Sequence, residues 1–166
     1  ILNCKGQILQ PEKTIVLDEK ITSIELKNLS TKPAISLLNS FSAPVIVEFK
    51  QSIDDLFAIL EFETDFTSVW MTKKKLDFIA LEKIASDQPN VEKVISRIYE
   101  LLINKVHTPS LLAKLLEPLN DNVYFSRLLE TTTPDPKAMQ TDLLKYEDLY
   151  KRCFKEFSIA YFKSFI

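Results

Sequence analysis

The sequence predicts an α+β chain in which a partial β-sandwich precedes an α-helical superhelix or solenoid. Through residues 1–50, short apolar runs follow the two-residue period of strands and alternate with turn residues. From residue 51 almost to the end, apolar residues recur every three or four positions, as in helices. We therefore predict that residues 1–50 are the C-terminal part of a β-sandwich domain and residues 51–166 the N-terminal part of a helical domain.

The strand prediction starts at Gly6, the only glycine, which suits a hairpin turn because glycine reaches positive φ without steric cost. The following runs are short, rich in β-branched side chains and spaced as in an immunoglobulin-like sandwich. Because a sandwich needs a second sheet, we also expect an open sheet edge that could pair with another strand. The predicted strands are residues 7–9, 13–17, 21–29 and 45–49.

Capping and stop signals divide the rest of the chain into helices. Ser52 is a suitable N-cap, and Asp54 and Asp55 follow in the first turn, where negative charge favours the helix dipole. Proline and asparagine mark the later boundaries, and short links between helices indicate a solenoid or bundle. The predicted helices span about residues 53–63, 65–87, 91–102, 109–117, 123–130 and 137–166.

The composition disfavours several classes of partner. With 21 basic and 23 acidic side chains, the chain has no overall field that attracts nucleic acid or an anionic membrane. Cys4 and Cys153 are the only cysteines, which suits a reducing compartment, and no apolar run is long enough to span a membrane. We expect a cytoplasmic protein. Because the chain starts without Met and its last helix lacks a stop signal, we also expect a fragment.

The sequence offers no complete set of catalytic or metal-binding residues. His107 is the only histidine, so H-E-x-x-H is absent, and we place His107 at a helix junction. One glycine cannot form a phosphate-binding or dinucleotide-binding loop. We therefore predict no catalytic, cofactor-binding or metal-binding residues in this chain.

Three charged or reactive groups have a structural and a functional interpretation. Asp54 and Asp55 could form an acid/base pair, but adjacent helical residues point in different directions, so stabilisation of the helix dipole is favoured. Cys153 has basic neighbours, yet a buried helical thiol is favoured over a reactive one. The lysines at residues 73–75 spread around a helix, which favours a solvated face.

An aromatic series in the last predicted helix keeps steps of three or four residues and so lies on one face. Core packing is favoured over a membrane-surface role, because acidic residues interrupt the basic ones. If nothing covers this face, self-association is expected through it or through the open sheet edge. The series is Tyr146, Tyr150, Phe154, Phe157, Tyr161 and Phe165.

Several motifs resemble one family in the same order. The motifs are Thr-Ile-Val-Leu at residues 14–17, Lys-Pro-Ala-Ile-Ser-Leu-Leu-Asn-Ser-Phe-Ser-Ala-Pro-Val at residues 32–45, Asp-Phe at residues 65–66, and Trp70. Together they are similar to the junction between the β-sandwich and helical domains of bacterial aminopeptidase N-type (membrane alanyl aminopeptidase) zinc metallopeptidases. Residues 108–129 resemble the next two helices. One departure is that Thr-Ser-Val precedes Trp70, where the family usually has an Arg.

The resemblance implies a parent enzyme that releases N-terminal residues from peptides with a zinc ion held by H-E-x-x-H and a downstream Glu. This chain has neither those ligands nor a Gly-Ala-Met-Glu-Asn recognition loop. We therefore expect a structural region that helps enclose the substrate cavity, binds no zinc and contacts the upstream catalytic domain, the downstream helices and peptide substrates. The alternative is a stand-alone helical module that binds a peptide or protein.

Overall fold

The structure, a computed structural model, describes residues 13–16, 18–27, 29, 31–41, 45, 47–120, 124 and 135–163. The chain divides into two compact units, Ile1–Val69 and Trp70–Ile166, and the division falls within a helix. The predicted domain boundary between residues 50 and 51 stays a prediction. The helices are α1 Ile53–Phe62, α2 Phe66–Ala85, α3 Val91–Lys105, α4 Pro109–Leu115 and α5 Pro136–Lys163, preceded by a 3-10 turn at Asn39–Phe41.

The predicted α+β fold with a partial immunoglobulin-like β-sandwich is wrong, because the part of the chain that the structure describes is mostly helical and contains no strand. Within the predicted strands, Val16 is 77% exposed and Ile21 is 81% exposed. β-branched residues favour strands only where cross-strand neighbours and a covered face hold them. Val16 and Ile21 are not covered by other described residues, so the two-residue spacing of apolar side chains in these segments does not lead to a sheet. Gly6 and residues 7–9 lie outside the described residues.

The first unit, Ile1–Val69, contains α1, which begins as predicted. The Ser52 hydroxyl accepts a hydrogen bond from the Asp55 N–H at 3.2 Å, and the Asp55 carboxylate accepts one from the Ser52 N–H at 3.1 Å. Lys32 Nζ also lies 2.9 Å from Asp55 Oδ2. Burial acts to raise the pKa of Asp55, but the contacts with Ser52 and Lys32 outweigh it and lower the pKa. Asp55 therefore caps a helix, while Asp54 is exposed.

Asp65 organises the start of α2 in the same unit. Its carboxylate accepts hydrogen bonds from the Ser68 N–H at 2.9 Å and from the Ser68 hydroxyl at 2.8 Å. It also accepts one at 3.0 Å from the N–H of Ser40, which lies in the 3-10 turn at a φ of 55°. Positive φ is unfavourable for serine, so the contact with Asp65 helps to hold this backbone. One side chain thus caps α2 and fixes the preceding turn.

The second unit, Trp70–Ile166, contains the rest of α2 and the helices α3 to α5. The turn after α2 has Asp87 and Asn90 at positive φ, and the Gln88 N–H donates to the Lys83 carbonyl at 2.8 Å. This closure confirms the predicted stop near Pro89, although the Asn90 side chain makes no capping hydrogen bond. α3 packs against α5 and contacts α4. The buried apolar residues of α3 include Ile95, Ile98 and Leu102.

The remaining boundaries agree with prediction in part. α4 begins at Pro109, as predicted, but ends at Leu115, two residues early. α5 begins at Pro136, and the predicted helix at residues 123–130 lies outside the described residues except for Tyr124, which is helical and buried. Among the described residues, none of the helices has the length and hydrophobicity required to cross a membrane.

We predict that Asp65→Ala lowers the free energy of unfolding by about 1–2 kcal/mol, because it removes the cap of α2 and the acceptor for Ser40. Urea denaturation followed by circular dichroism measures this change. Asp54→Ala is the matched control, since Asp54 is exposed in the first turn of α1, and should cost less than about 0.5 kcal/mol. Equal effects of the two substitutions would contradict the capping role of Asp65.

Candidate functional site

The residues singled out from sequence occupy different surroundings in the structure. His107 is exposed between α3 and α4, which agrees with its predicted place at a helix junction. Cys153 is buried, and its Sγ lies 3.5 Å from the Ser96 hydroxyl oxygen. Burial raises the pKa of the Cys153 thiol, which disfavours the nucleophilic thiolate. The prediction that Cys153 is a buried helical thiol is therefore confirmed.

The predicted solvated face at residues 73–75 is wrong for Lys73. Lys73 is 3% exposed and its Nζ lies 2.7 Å from Oδ2 of Asp77, which is 0% exposed. The two residues are four apart on α2, the spacing that places side chains together on one helical face. A fully buried ion pair is uncommon because both charges lose their hydration. This pair is the most unusual feature among the described residues.

Two other parts of the second unit complete the surroundings of the pair. The Lys73 ammonium donates a hydrogen bond to the backbone carbonyl of Glu117, just after α4, and lies 5.1 Å from the centroid of the Tyr150 ring on α5. Tyr146, one turn before Tyr150, is fully buried as well. We call Lys73, Asp77, Tyr146 and Tyr150 the buried cluster.

The buried cluster is incompletely hydrogen-bonded. Among the described residues, the two Asp77 oxygens have no hydrogen-bond partner of normal geometry besides the ion pair. The hydroxyls of Tyr146 and Tyr150 have no such partner either. Burial raises the pKa of Asp77 to about 6, although Lys73 and the nearby Tyr146 hydroxyl act in the opposite direction. Burial also lowers the pKa of Lys73, against the attraction of Asp77. Loss of hydration therefore dominates the electrostatics of both groups.

Aromatic packing surrounds the cluster. The Tyr99 ring of α3 lies 5.1 Å from the Tyr150 ring and stacks on Phe157 at 5.8 Å. Phe154 is 6.2 Å from Tyr99 but remains 52% exposed. The predicted core role of the aromatic series is thus confirmed for Tyr146 and Tyr150, holds in part for the half-buried Phe157, and is wrong for Phe154. The side chains of Tyr161 and Phe165 lie outside the described residues.

The neighbouring lysine is placed differently. Lys74 Nζ lies 3.7 Å from the centroid of the Trp70 ring, which is partly exposed, in a cation–π contact at the surface. Burial lowers the pKa of Lys74, and the positive charge of Lys73 adds to this effect. Consecutive lysines thus occupy one buried and one surface environment.

The geometry of the buried cluster suits a structural role. No three His, Cys, Asp or Glu side chains within the described ranges come together as possible metal ligands. Lys73 and Asp77 are buried, and their contacts are those of a charge pair that joins α2, α5 and the segment after α4. The sequence feature that could have revealed this pair is the spacing of four residues between Lys73 and Asp77, on the same helix as Leu76. Leu76 is buried in the structure.

We predict that neither tyrosine hydroxyl of the buried cluster stabilises the fold. Tyr146→Phe and Tyr150→Phe each remove a buried hydroxyl without a hydrogen-bond partner, so the free energy of unfolding should stay the same or rise by up to about 1 kcal/mol. Urea denaturation of both variants measures this change. A loss of more than about 1 kcal/mol in either variant would contradict this arrangement.

Comparison with protein families finds one match. Residues 1–50 match a family model described as a domain of unknown function (DUF3458) with an Ig-like fold. This range covers less than a third of the chain, and its described residues contain no strand. No curated protein and no solved structure matches the chain. The family match thus concerns the first 50 residues of the chain.

Proposed function

We propose that the chain is a non-catalytic region of an aminopeptidase N-like zinc metallopeptidase that removes N-terminal amino acids from peptides. The observation that carries this proposal is the family match of residues 1–50, because that domain is found in aminopeptidase N-type proteins. The motif Phe-Ser-Ala-Pro-Val at residues 41–45 lies within the matched range and resembles the same family.

The properties of the described residues agree with a structural contribution. The most unusual polar residues of the second unit, Lys73 and Asp77, are buried together. A catalytic acid or base has to reach the substrate, and a buried charge pair does not. The region would help to enclose the substrate cavity, with the zinc ion held by residues elsewhere in the parent protein. Its partners would be the catalytic domain, further helices of the parent and the peptide substrate. Placement in the cytoplasm is part of the same proposal.

We predict that this chain, supplied with zinc, does not hydrolyse alanyl or lysyl fluorogenic substrates, because its only histidine cannot provide the expected ligands. The protein in which residues 1–166 are joined to a catalytic domain should hydrolyse them and lose activity with a chelator. The assay is the initial rate of fluorophore release. Turnover by the chain alone would contradict the proposal.

A helical module that binds a peptide or protein is the second candidate. The observation that favours it is the exposure of large apolar side chains on α5, namely Leu144, Phe154 and Ile159. The same assay separates the candidates. An inactive parent protein that keeps a folded helical unit would favour the binding module, whereas chelator-sensitive turnover would favour the aminopeptidase region.

A further inference from the structure

The Lys73 ammonium lies among groups from three separate parts of the second unit. Asp77, one turn further along α2, places Oδ2 2.7 Å from Lys73 Nζ. The segment after α4 supplies the Glu117 carbonyl, which accepts a hydrogen bond from the same nitrogen. α5 supplies the Tyr150 ring, whose centroid is 5.1 Å away. We call the Asp77 carboxylate, the Glu117 carbonyl and the Tyr150 ring the ammonium cage.

The chemistry of the ammonium cage suits a primary ammonium ion. The two oxygen groups accept hydrogen bonds from N–H donors, and the face of an aromatic ring attracts a cation. A primary ammonium has three N–H donors, enough for the carboxylate, the carbonyl and the ring face. A quaternary ammonium has no donor, and an alcohol has no charge. Either of these would leave the completely buried Asp77 carboxylate without a matching partner.

The members of the cage are positioned by contacts that do not involve the Lys73 side chain. Leu119 is buried and holds the segment that carries Glu117. The Tyr150 ring packs against the Tyr99 ring of α3, with their centroids 5.1 Å apart. The stem of Lys73 is a chain of methylene groups without a polar atom, and its contribution to the cage is to deliver the ammonium. The cage should therefore keep its arrangement when the stem is shortened.

We propose that the helical unit contains a binding site for a primary alkylammonium ion, and that the chain fills this site with its own Lys73. A free ammonium ion of the right size then takes the place of the Lys73 ammonium when the stem is removed. This inference goes beyond the proposed function and does not depend on it, because a region of a larger enzyme and a separate binding module would both contain the site.

Chemical rescue of Lys73→Ala in the full chain tests the proposal. Alanine keeps Cβ, so the missing part of the side chain has the size of n-propylammonium. Urea denaturation at equilibrium lets the ion enter as the chain refolds. The measurement is made at about pH 8, where an alkylammonium ion is charged and which is well above the pKa of about 6 that burial gives Asp77.

The expected result is a gain in stability that requires the added ion. We expect about 0.1 M n-propylammonium chloride to raise the folding equilibrium constant of Lys73→Ala about tenfold over the same concentration of sodium chloride, as linkage gives for a Kd of about 10 mM. An increase of less than about twofold would overturn the proposal. A variant that is unfolded in sodium chloride and stays unfolded in n-propylammonium chloride would overturn it as well.

The selectivity of the rescue identifies the site. Methylammonium should bind more weakly than n-propylammonium, because each buried methylene adds up to about fourfold in affinity. Tetramethylammonium and 1-propanol should not rescue, because one lacks N–H donors and the other lacks charge.

Lys74→Ala is the matched control, because it shortens the adjacent lysine, whose ammonium lies over the partly exposed Trp70 ring at the surface. n-Propylammonium should change its folding equilibrium constant by less than about twofold. Equal stabilisation of Lys74→Ala, or equal rescue of Lys73→Ala by tetramethylammonium, would show a general solvent effect and contradict the proposed site.

Discussion

The helical unit Trp70–Ile166 depends on the burial of one charge pair, Lys73 and Asp77. Two charges 2.7 Å apart attract each other strongly where water is excluded, but each has also lost its hydration. Such a pair tolerates the loss of neither partner, because the remaining charge would be buried alone. The surrounding residues must therefore keep both partners in place, which constrains the packing of α5 and of the segment after α4.

The aromatic residues of α3 and α5 meet this constraint. Tyr150 presents its ring to the Lys73 ammonium, and Tyr99 packs against Tyr150 and Phe157. A cation over an aromatic face recovers part of the electrostatic stabilisation that the ammonium loses on burial. The same rings exclude water, which strengthens the attraction within the pair. The loss of hydration raises the pKa of Asp77, against the effect of Lys73. The same aromatic residues therefore determine both the packing of this unit and the electrostatics of the Lys73–Asp77 pair.

Features that depend on residues close together in the sequence were predicted correctly. Features that depend on contacts with distant residues were not. Ser52 and Asp55 form a capping box from four consecutive positions, so the start of α1 was predictable. The runs near Val16 and Ile21 have strand-like composition, but a strand needs a partner that no local pattern supplies. Lys73 was assigned to solvent because three consecutive lysines point around a helix. Its burial comes from Tyr150 and Glu117, which are 77 and 44 positions away.

A double-mutant cycle on Lys73 and Asp77 tests the central claim most directly. The free energy of unfolding at about pH 7 is measured by urea denaturation for Lys73→Met, Asp77→Leu, the double variant and the unaltered chain. Each single substitution should cost about 3–5 kcal/mol, because it leaves a buried charge without its partner, and the double variant should cost at least about 2 kcal/mol less than the sum. Effects that add to within about 0.5 kcal/mol would contradict the claim that this pair organises the helical unit.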